Sequence, residues 1–261
     1  MSEETRTTLP SGQTSFLGGR TLVWFSCGAA SAVAAKIAID EIGSVEVVHC
    51  DTLPDEHEDN VRFFGEVQDW LGQEIVQLKS DKYTTCDDVY QKTGYMAGIA
   101  GARCTTELKK APRLAYQWAE DTHIFGFTSD EAKRQRDFEY NNPELLVRWI
   151  LAEHDISKKD CYSIISGAGI ELPTMYKLGY RNNNCKGCVK SQSAGYWSKT
   201  RKDFPEVFKL RAERSRSLGV RLVRLKGERI FLDELPQGDF PYKGEDLSCG
   251  PTCNGQQVVE D

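Results

Sequence analysis

The sequence lacks long apolar runs and a secretion signal, and it contains only four histidines. No stretch of the 261 residues approaches the ~20 apolar residues of a membrane span, and residues 1–15 are polar. His57, His123 and His154 have no Ser or Asp partners at the spacing of a catalytic motif. We therefore expect a cytoplasmic protein with no membrane partner, and we assign no catalytic role to these histidines.

The chain also lacks an excess of positive charge. Its formal net charge of −6 argues against a protein that coats nucleic acid, although a local basic patch would not show in this total. Basic residues concentrate between Lys177 and Lys226. Four aromatic residues are interleaved with them: Tyr196, Trp197, Phe204 and Phe208. This stretch is either a nucleic-acid surface with stacking positions or an ordinary solvated face.

Short apolar strands alternate with helices over much of the chain. We predict strands at residues 21–26, 45–49, 74–78 and 123–127, helices at 29–42, 55–71, 105–118 and 143–154, and a hairpin of 221–225 with 229–232. The alternation predicts an α/β fold with a doubly wound, Rossmann-like parallel sheet. We divide the chain into a flexible arm (1–19), a nucleotide-binding domain (20–200), a helix and hairpin extension (201–235) and a mobile tail (236–261).

The first strand-to-helix turn contains only small residues: Ser26, Cys27, Gly28, Ala29, Ala30 and Ser31. Small side chains let the backbone approach a phosphate, and the helix N-terminus offers N–H donors. The spacing fits neither the mononucleotide nor the dinucleotide loop, and helix–sheet packing alone is the alternative explanation. Asp51 and Thr52 favour a binding site, because they follow the second strand beside this turn and suit a ribose hydroxyl or a metal ion.

Two later segments extend this pattern. One runs from Gly126 through Glu131 and Arg134 to Arg136, and the other from Gly179-Tyr180 to Cys185-x-x-Cys188. With the small turn and Asp51-Thr52, they resemble the phosphoadenylyl-sulfate (PAPS) reductase family of adenine-nucleotide alpha-hydrolase-like enzymes, over residues 20–200. Ala30 stands where ATP-splitting members of that group carry Asp, and Ala29 replaces a Gly.

The resemblance implies an adenine nucleotide, namely PAPS, APS or ATP, as the ligand. The residues expected to bind it are Ser26, Cys27, Gly28, Ala29, Ala30, Ser31, Asp51, Thr52, Gly126, Glu131, Arg134, Arg136 and Lys109. The basic members of this set suit phosphate or sulfate, and arginine makes bidentate contacts to such groups. For each basic residue, an ordinary surface charge is the alternative.

The nine cysteines indicate a reducing compartment, where they serve as metal ligands, redox centres or core residues. Cys185 and Cys188 have a metal or redox spacing, and Cys104 resembles the family's cluster-binding segment. The resemblance implies a 4Fe–4S cluster on these three thiolates. The family's Cys-Cys pair is Arg103-Cys104 here, so the fourth ligand would be Cys249, Cys253 or a non-protein ligand. Zinc, a redox dithiol and buried thiols are the alternatives. Four further cysteines are expected to be core or incidental: Cys27, Cys50, Cys86 and Cys161.

The tail carries Cys249 and Cys253. In the reductases a cysteine on a mobile C-terminal segment attacks the sulfur of the sulfonucleotide, and Cys249-Gly250 resembles that cysteine best. We therefore expect a sulfonucleotide reductase-like enzyme that releases sulfite with a thioredoxin-like reductant as partner. Two alternatives are an ATP pyrophosphatase-type sulfur-transfer or nucleic-acid-modifying enzyme of a mobile-element or CRISPR-associated defence system, and a non-catalytic nucleotide-binding module.

Overall fold

Nine strands form three sheets in the computed structural model, which describes residues 19–98, 101–238, 240–245 and 247. They are β1 (Thr21–Trp24), β2 (Glu46–Cys50), β3 (Val76–Leu78), β4 (Ala97–Gly98), β5 (Gly101–Ala102), β6 (Thr122–Phe125), β7 (Leu146–Arg148), β8 (Val223–Leu225) and β9 (Glu228–Ile230). The central sheet is parallel throughout and has the order β3-β2-β1-β6-β7. β4 pairs with β5, and β8 with β9, as antiparallel hairpins.

Helices surround and extend this sheet. They are α1 (Ala29–Ile42), α2 (Asn60–Leu71), α3 (Cys86–Thr93), α4 (Arg103–Thr105), α5 (Ala111–Tyr116), α6 (Ala132–Asn141), α7 (Ile150–Glu153), α8 (Lys158–Gly167), α9 (Thr174–Lys177), α10 (Ala194–Asp203) and α11 (Pro205–Ser217). A π-helical turn over Thr106–Lys110 joins α4 to α5. Single 3₁₀ turns occupy Leu53–Asp55, Ser129–Glu131 and Leu232–Glu234. None of the helices in the described part of the chain is long and apolar enough to cross a membrane.

The sheet is buried on both faces, as parallel sheets usually are. Val23 of β1 and Ile124 of β6 face a core shared with α1, α2 and α8. Leu22, Trp24 and other alternate residues face a second core that includes Phe138 of α6. The predicted α/β fold with a parallel central sheet is therefore confirmed, and α1 has the predicted bounds.

The prediction of a single helix at residues 143–154 is wrong. The structure instead has the edge strand β7 followed by the short helix α7. Leu145, Val147 and Trp149 pack against the second core, whereas Leu146 between them is 56% exposed. This alternation has the period of a strand, and parallel pairing with β6 fixes it. The helices α3, α6 and α8 were not predicted.

The C-terminal elements build a third apolar core beside the sheet. It joins α3, the Arg103–Tyr116 helical segment, α10 and α11, and it encloses Tyr90, Leu108 and Trp197. Residues 201–235 therefore share one core with residues 86–108. The predicted hairpin is present as β8 and β9, turned at Lys226-Gly227.

The fully buried His123 gives the fold a predicted dependence on pH. Its Nδ1 accepts a hydrogen bond from Trp24 Nε1 at 2.9 Å, and burial lowers the pKa of His123 to about 4. An unfolded histidine has a pKa of roughly 6.5. Between these two pKa values the unfolded chain binds a proton at His123 and the folded protein does not. We expect the free energy of unfolding to fall by about 1.4 kcal/mol per pH unit from this group as pH drops from ~6.5 towards ~4.

Denaturant melts of wild type and His123→Asn across that window measure this contribution. The asparagine oxygen keeps an acceptor for Trp24 but does not titrate, so the slope of the variant should be shallower. Carboxylates titrate equally in both proteins and cancel in the comparison. Parallel slopes would contradict the assignment.

Candidate functional site

A cleft opens where the carboxyl ends of β1 and β6 meet. It has a volume of about 100 Å³ and lies between the residues that follow these two strands. The strand order places the cleft at the topological switch point of the sheet. There β2 lies on one side of β1 and β6 lies on the other. Ligands of open parallel sheets bind at this position.

The small turn forms one wall of the cleft. Ser31 Oγ accepts a hydrogen bond from the Ser26 backbone N–H at 3.1 Å and donates to the Gly28 carbonyl at 3.0 Å. Ser26 and Ser31 Oγ atoms are 3.2 Å apart. Ser26, Gly28, Ala30 and Ser31 line the cleft. The Ser31 hydroxyl thus braces the turn from within, and the turn presents the Ser26 hydroxyl and the start of α1 to the cleft.

Cys27 and Ala29 belong to the same turn but face the other way. Cys27 adopts a positive φ of 56°, and its Sγ donates to the Asn60 carbonyl at 3.5 Å. Both side chains are fully buried in the core shared with α1. Burial raises the pKa of Cys27 well above its usual value. These two residues shape the turn from behind and do not line the cleft.

Gly126 brings the end of β6 against the first turn of α1. A Cβ at this position would stand 2.5 Å from the Ser31 backbone nitrogen, closer than real Cβ contacts. The residue therefore has to be glycine for the two cleft walls to meet. Gly126 lines the cleft together with the aromatic residues on either side of it, Phe125 and Phe127.

Three basic side chains and one carboxylate line the cleft. Lys109 is only 7% exposed and lies on the π-helical turn, a distortion that is frequent at functional sites. The Arg134 guanidinium carbon lies 4.1 Å from the Phe127 ring centroid and pairs with Glu131. Glu131 also accepts hydrogen bonds from the Thr128 backbone N–H and hydroxyl. With Lys158 as the third cation, the cleft has a net positive charge.

Several cleft residues were missed at the sequence level. They are Trp24, Phe125, Phe127, Thr128, Lys158, Tyr176, Asn182, Asn183, Asn184 and Leu247. The run of three asparagines was the one available signal. Asn183 Nδ2 donates to the Cys27 carbonyl at 2.6 Å, and Asn184 Nδ2 donates to the Leu247 carbonyl at 2.7 Å. The run therefore ties the small turn to the C-terminal segment.

Besides Cys27 and Ala29, three further expected binding residues lie outside the cleft lining. Thr52 is buried and donates to Glu56 Oε1 at 2.7 Å. Asp51 accepts from the Leu53 backbone N–H and lies 3.6 Å from Lys79 Nζ. Arg136 is exposed on α6. The cleft opens on the β6 side of β1, so the β2 end carrying Asp51 and Thr52 is on the opposite side.

The cysteines form a separate cluster in the third core. Cys104, Cys185 and Cys188 are all buried there, as is Cys86. The Cys86 thiol is hydrogen-bonded to the thiols of Cys104 and Cys185, so Cys86 is a member of the cluster rather than an incidental core residue. Within the described ranges, no group of three or more His, Cys, Asp or Glu side chains is already arranged to hold a metal ion. Cys249 and Cys253 lie outside the described residues.

The basic stretch does not present the expected aromatic surface. Tyr196, Trp197 and Phe208 are buried in the third core, so they are not available for stacking with bases. Arg214 pairs with Asp87 at 2.8 Å, and Arg216 pairs with Asp233 at 2.6 Å. Three of the four interleaved aromatic residues are therefore unavailable for stacking, whereas Phe204 is half-buried. Nucleic-acid binding by this stretch stays a prediction.

Comparisons with known proteins add no family to this description. No protein-family model matches the chain, and no curated protein matches it. The resemblance to the PAPS reductases therefore rests on the four sequence motifs.

Replacing Gly126 tests the contact between β6 and α1. Because the added Cβ of Gly126→Ala meets backbone rather than a flexible side chain, we expect a loss of about 1–3 kcal/mol in the free energy of unfolding. Urea denaturation measures it. Gly65→Ala in α2 is the matched control, since its Cβ meets nothing within 4 Å. This control should gain roughly 0.5–1 kcal/mol; equal midpoints for both variants would contradict the close approach.

Proposed function

We propose that the cleft binds the phosphate or sulfate end of an adenine nucleotide and that the protein reduces a sulfonucleotide. The observation that carries this proposal is the joint lining of one cleft by the small turn and by Lys109, Arg134 and Lys158. A helix N-terminus and three cations in a partly apolar cleft favour a compact anion. The cleft volume of about 100 Å³ suits such a group, with the rest of the nucleotide reaching outward.

The start of the tail supports a role for Cys249. Leu247 is 4% exposed and lines the cleft, and its carbonyl accepts hydrogen bonds from Asn182 and Asn184. Cys249 follows two residues later. Two residues of chain span at most roughly 7 Å. This short connection to a residue that lines the cleft supports the proposed role of Cys249.

The proposed reaction has two steps. The Cys249 thiolate attacks the sulfur of PAPS or APS; a sulfur–sulfur bond forms, and the sulfur–oxygen bond to the nucleotide phosphate breaks. The nucleotide leaves, and the cysteine holds a thiosulfonate. A thioredoxin-like dithiol then attacks Cys249 Sγ and releases sulfite, and its second thiol frees Cys249 and forms the partner's disulfide. The partner's dithiol thus supplies the two electrons.

One cleft residue favours reduction over the ATP pyrophosphatase alternative. Ala30 lines the cleft, at the position where the resemblance implies a metal-facing Asp in ATP-splitting members. The carboxylate that does line the cleft, Glu131, is held by Thr128 and Arg134. The adenine-nucleotide alpha-hydrolase-like subtype of the Rossmann-like fold is part of the same proposal.

Arg134 and Arg136 provide a matched test of the binding site. Arg134→Gln removes a cation from the cleft, whereas Arg136→Gln removes an exposed one two residues away on α6. A hydrogen bond to a charged group contributes about 1.5–3 kcal/mol. We therefore expect Arg134→Gln to weaken nucleotide binding about 10- to 100-fold, as measured by calorimetric titration with PAPS, APS and ATP. Arg136→Gln should bind like wild type; equal losses in both variants would misplace the site.

Cys249→Ser tests the nucleophile separately. We expect it to keep nucleotide affinity and to lose sulfite release, because the serine hydroxyl remains protonated at neutral pH and does not replace the thiolate. The assay supplies the sulfonucleotide, thioredoxin and its reductase, and measures sulfite. Cys253→Ser is the control within the same tail. Wild-type sulfite release by Cys249→Ser would reject the assignment, and pyrophosphate release from ATP by wild type would favour the pyrophosphatase alternative.

A further inference from the structure

The cysteine cluster contains a member that the sequence pattern did not assign. Cys86, Cys104 and Cys185 come from three separate segments, and each is at most 9% exposed. Cys86 is hydrogen-bonded to both of the other thiols. Cys188 follows Cys185 in a Cys-x-x-Cys turn within the same core. Four buried thiols, with Cys86 in contact with two of the others, match the donor set of a tetrathiolate metal centre.

The backbone around the cluster suits thiolate ligands. Cys86 is the first residue of α3, and its N–H donates to Asp55 Oδ2 at 2.6 Å. The helix N-terminus favours a negative sulfur at this position. Gly187 lies between Cys185 and Cys188 and has a φ of +62°. A residue with a side chain would be strained in this conformation. This conformation closes the Cys-x-x-Cys turn tightly.

A buried arginine supplies positive charge beside the thiols. Arg211 is 4% exposed, and its guanidinium carbon lies 5.3 Å from the Tyr90 ring centroid. The Tyr90 hydroxyl donates to Cys104 Sγ at 3.1 Å. Arg211 Nη2 lies 3.3 Å from Asp55 Oδ1, but the buried Nη1 makes no hydrogen bond, and its ion-pair partner, Asp87 Oδ1, is 3.7 Å away. Asp55 and Asp87 already pair with this guanidinium, and a centre with net negative charge would add a further favourable interaction with it.

We propose that Cys86 is the fourth thiolate, with Cys104, Cys185 and Cys188, of a metal centre next to Arg211. The centre takes a thiophilic metal, either an iron–sulfur cluster or a single zinc ion. The thiols are not yet arranged as a closed ligand set, so their side chains turn and lose their protons when the metal binds. This assignment replaces the tail cysteines as the source of the fourth ligand.

The centre would also support the anion cleft. Cys104 is the second residue of the helical segment that places Lys109 in the cleft, five residues later. Cys185 directly follows Asn184, the last asparagine of the run that lines the cleft. One metal bound to both cysteines would fix two cleft walls to each other. The metal would act by positioning these walls, apart from any reaction in the cleft.

The test measures metal content, which does not depend on nucleotide chemistry. Wild type and variants are purified without oxygen, and iron, zinc and acid-labile sulfide are measured per chain with the visible absorption spectrum. Cys86→Ser should retain its metal against a chelator at least ~10-fold less well than wild type, because even residues that only orient a ligand contribute 10- to 100-fold. Cys161→Ser is the matched control, because this fully buried thiol lies in the core shared with α1, α2 and α8. It should retain metal like wild type.

A second variant keeps the proposal testable if Cys86→Ser does not fold. The double variant Cys249→Ser/Cys253→Ser changes only the tail and should hold as much metal per chain as wild type. If the metal is a single zinc ion, X-ray absorption should also still count four sulfur ligands. Iron with sulfide identifies a cluster, and zinc alone identifies a mononuclear site. The proposal is overturned by metal loss in the tail variant, by full metal in folded Cys86→Ser, or by wild type that binds neither metal. Each of these outcomes leaves the nucleotide-binding test unaffected.

Discussion

The contact between Gly126 and the first turn of α1 is the constraint on which the cleft depends. With a Cβ only 2.5 Å from the Ser31 nitrogen, no larger residue fits without moving the helix or the strand end. The contact sets the distance between the small turn and the residues after β6. Small residues on both sides are thus required for helix–sheet packing, and the proposed binding of an anion at the helix N-terminus would need the same small residues. Packing and binding are not competing explanations of the turn.

The third core makes the cleft a product of distant parts of the chain. The π-helical turn brings Lys109 in from one side, and the asparagine run brings the Cys27 carbonyl and Leu247 together on the other. Each segment lies within two residues of a clustered cysteine, Cys104 before the turn and Cys185 after the run. The geometry of the cleft is therefore coupled to the packing around Cys86 and Arg211, although these residues do not line it.

Sequence patterns predicted the local features and missed those set by strand order. The α1 bounds and the small turn follow from periodicity and residue size within one short segment. Asp51 and Thr52 also stand at a strand end, but the cleft opens towards β6 rather than β2, and only the assembled sheet reveals that side. The alternation at residues 145–149 also fits an amphipathic helix, and only the pairing of β7 with β6 at the edge of the assembled sheet makes it a strand. Lys158 and Cys86 come from helices that were not predicted.

The charge distribution explains how an acidic chain can select an anion. Much of the basic stretch is neutralised locally, as Arg211 is by Asp55 and Arg214 is by Asp87. The cleft, by contrast, places three cations and one carboxylate against apolar walls that include Trp24 and Phe125. Charges beside low-dielectric walls act more strongly on a bound ion than the same charges in open solvent. A net charge of −6 and a cleft for phosphate or sulfate are therefore compatible, because the binding energy depends on the few charges that face the ligand.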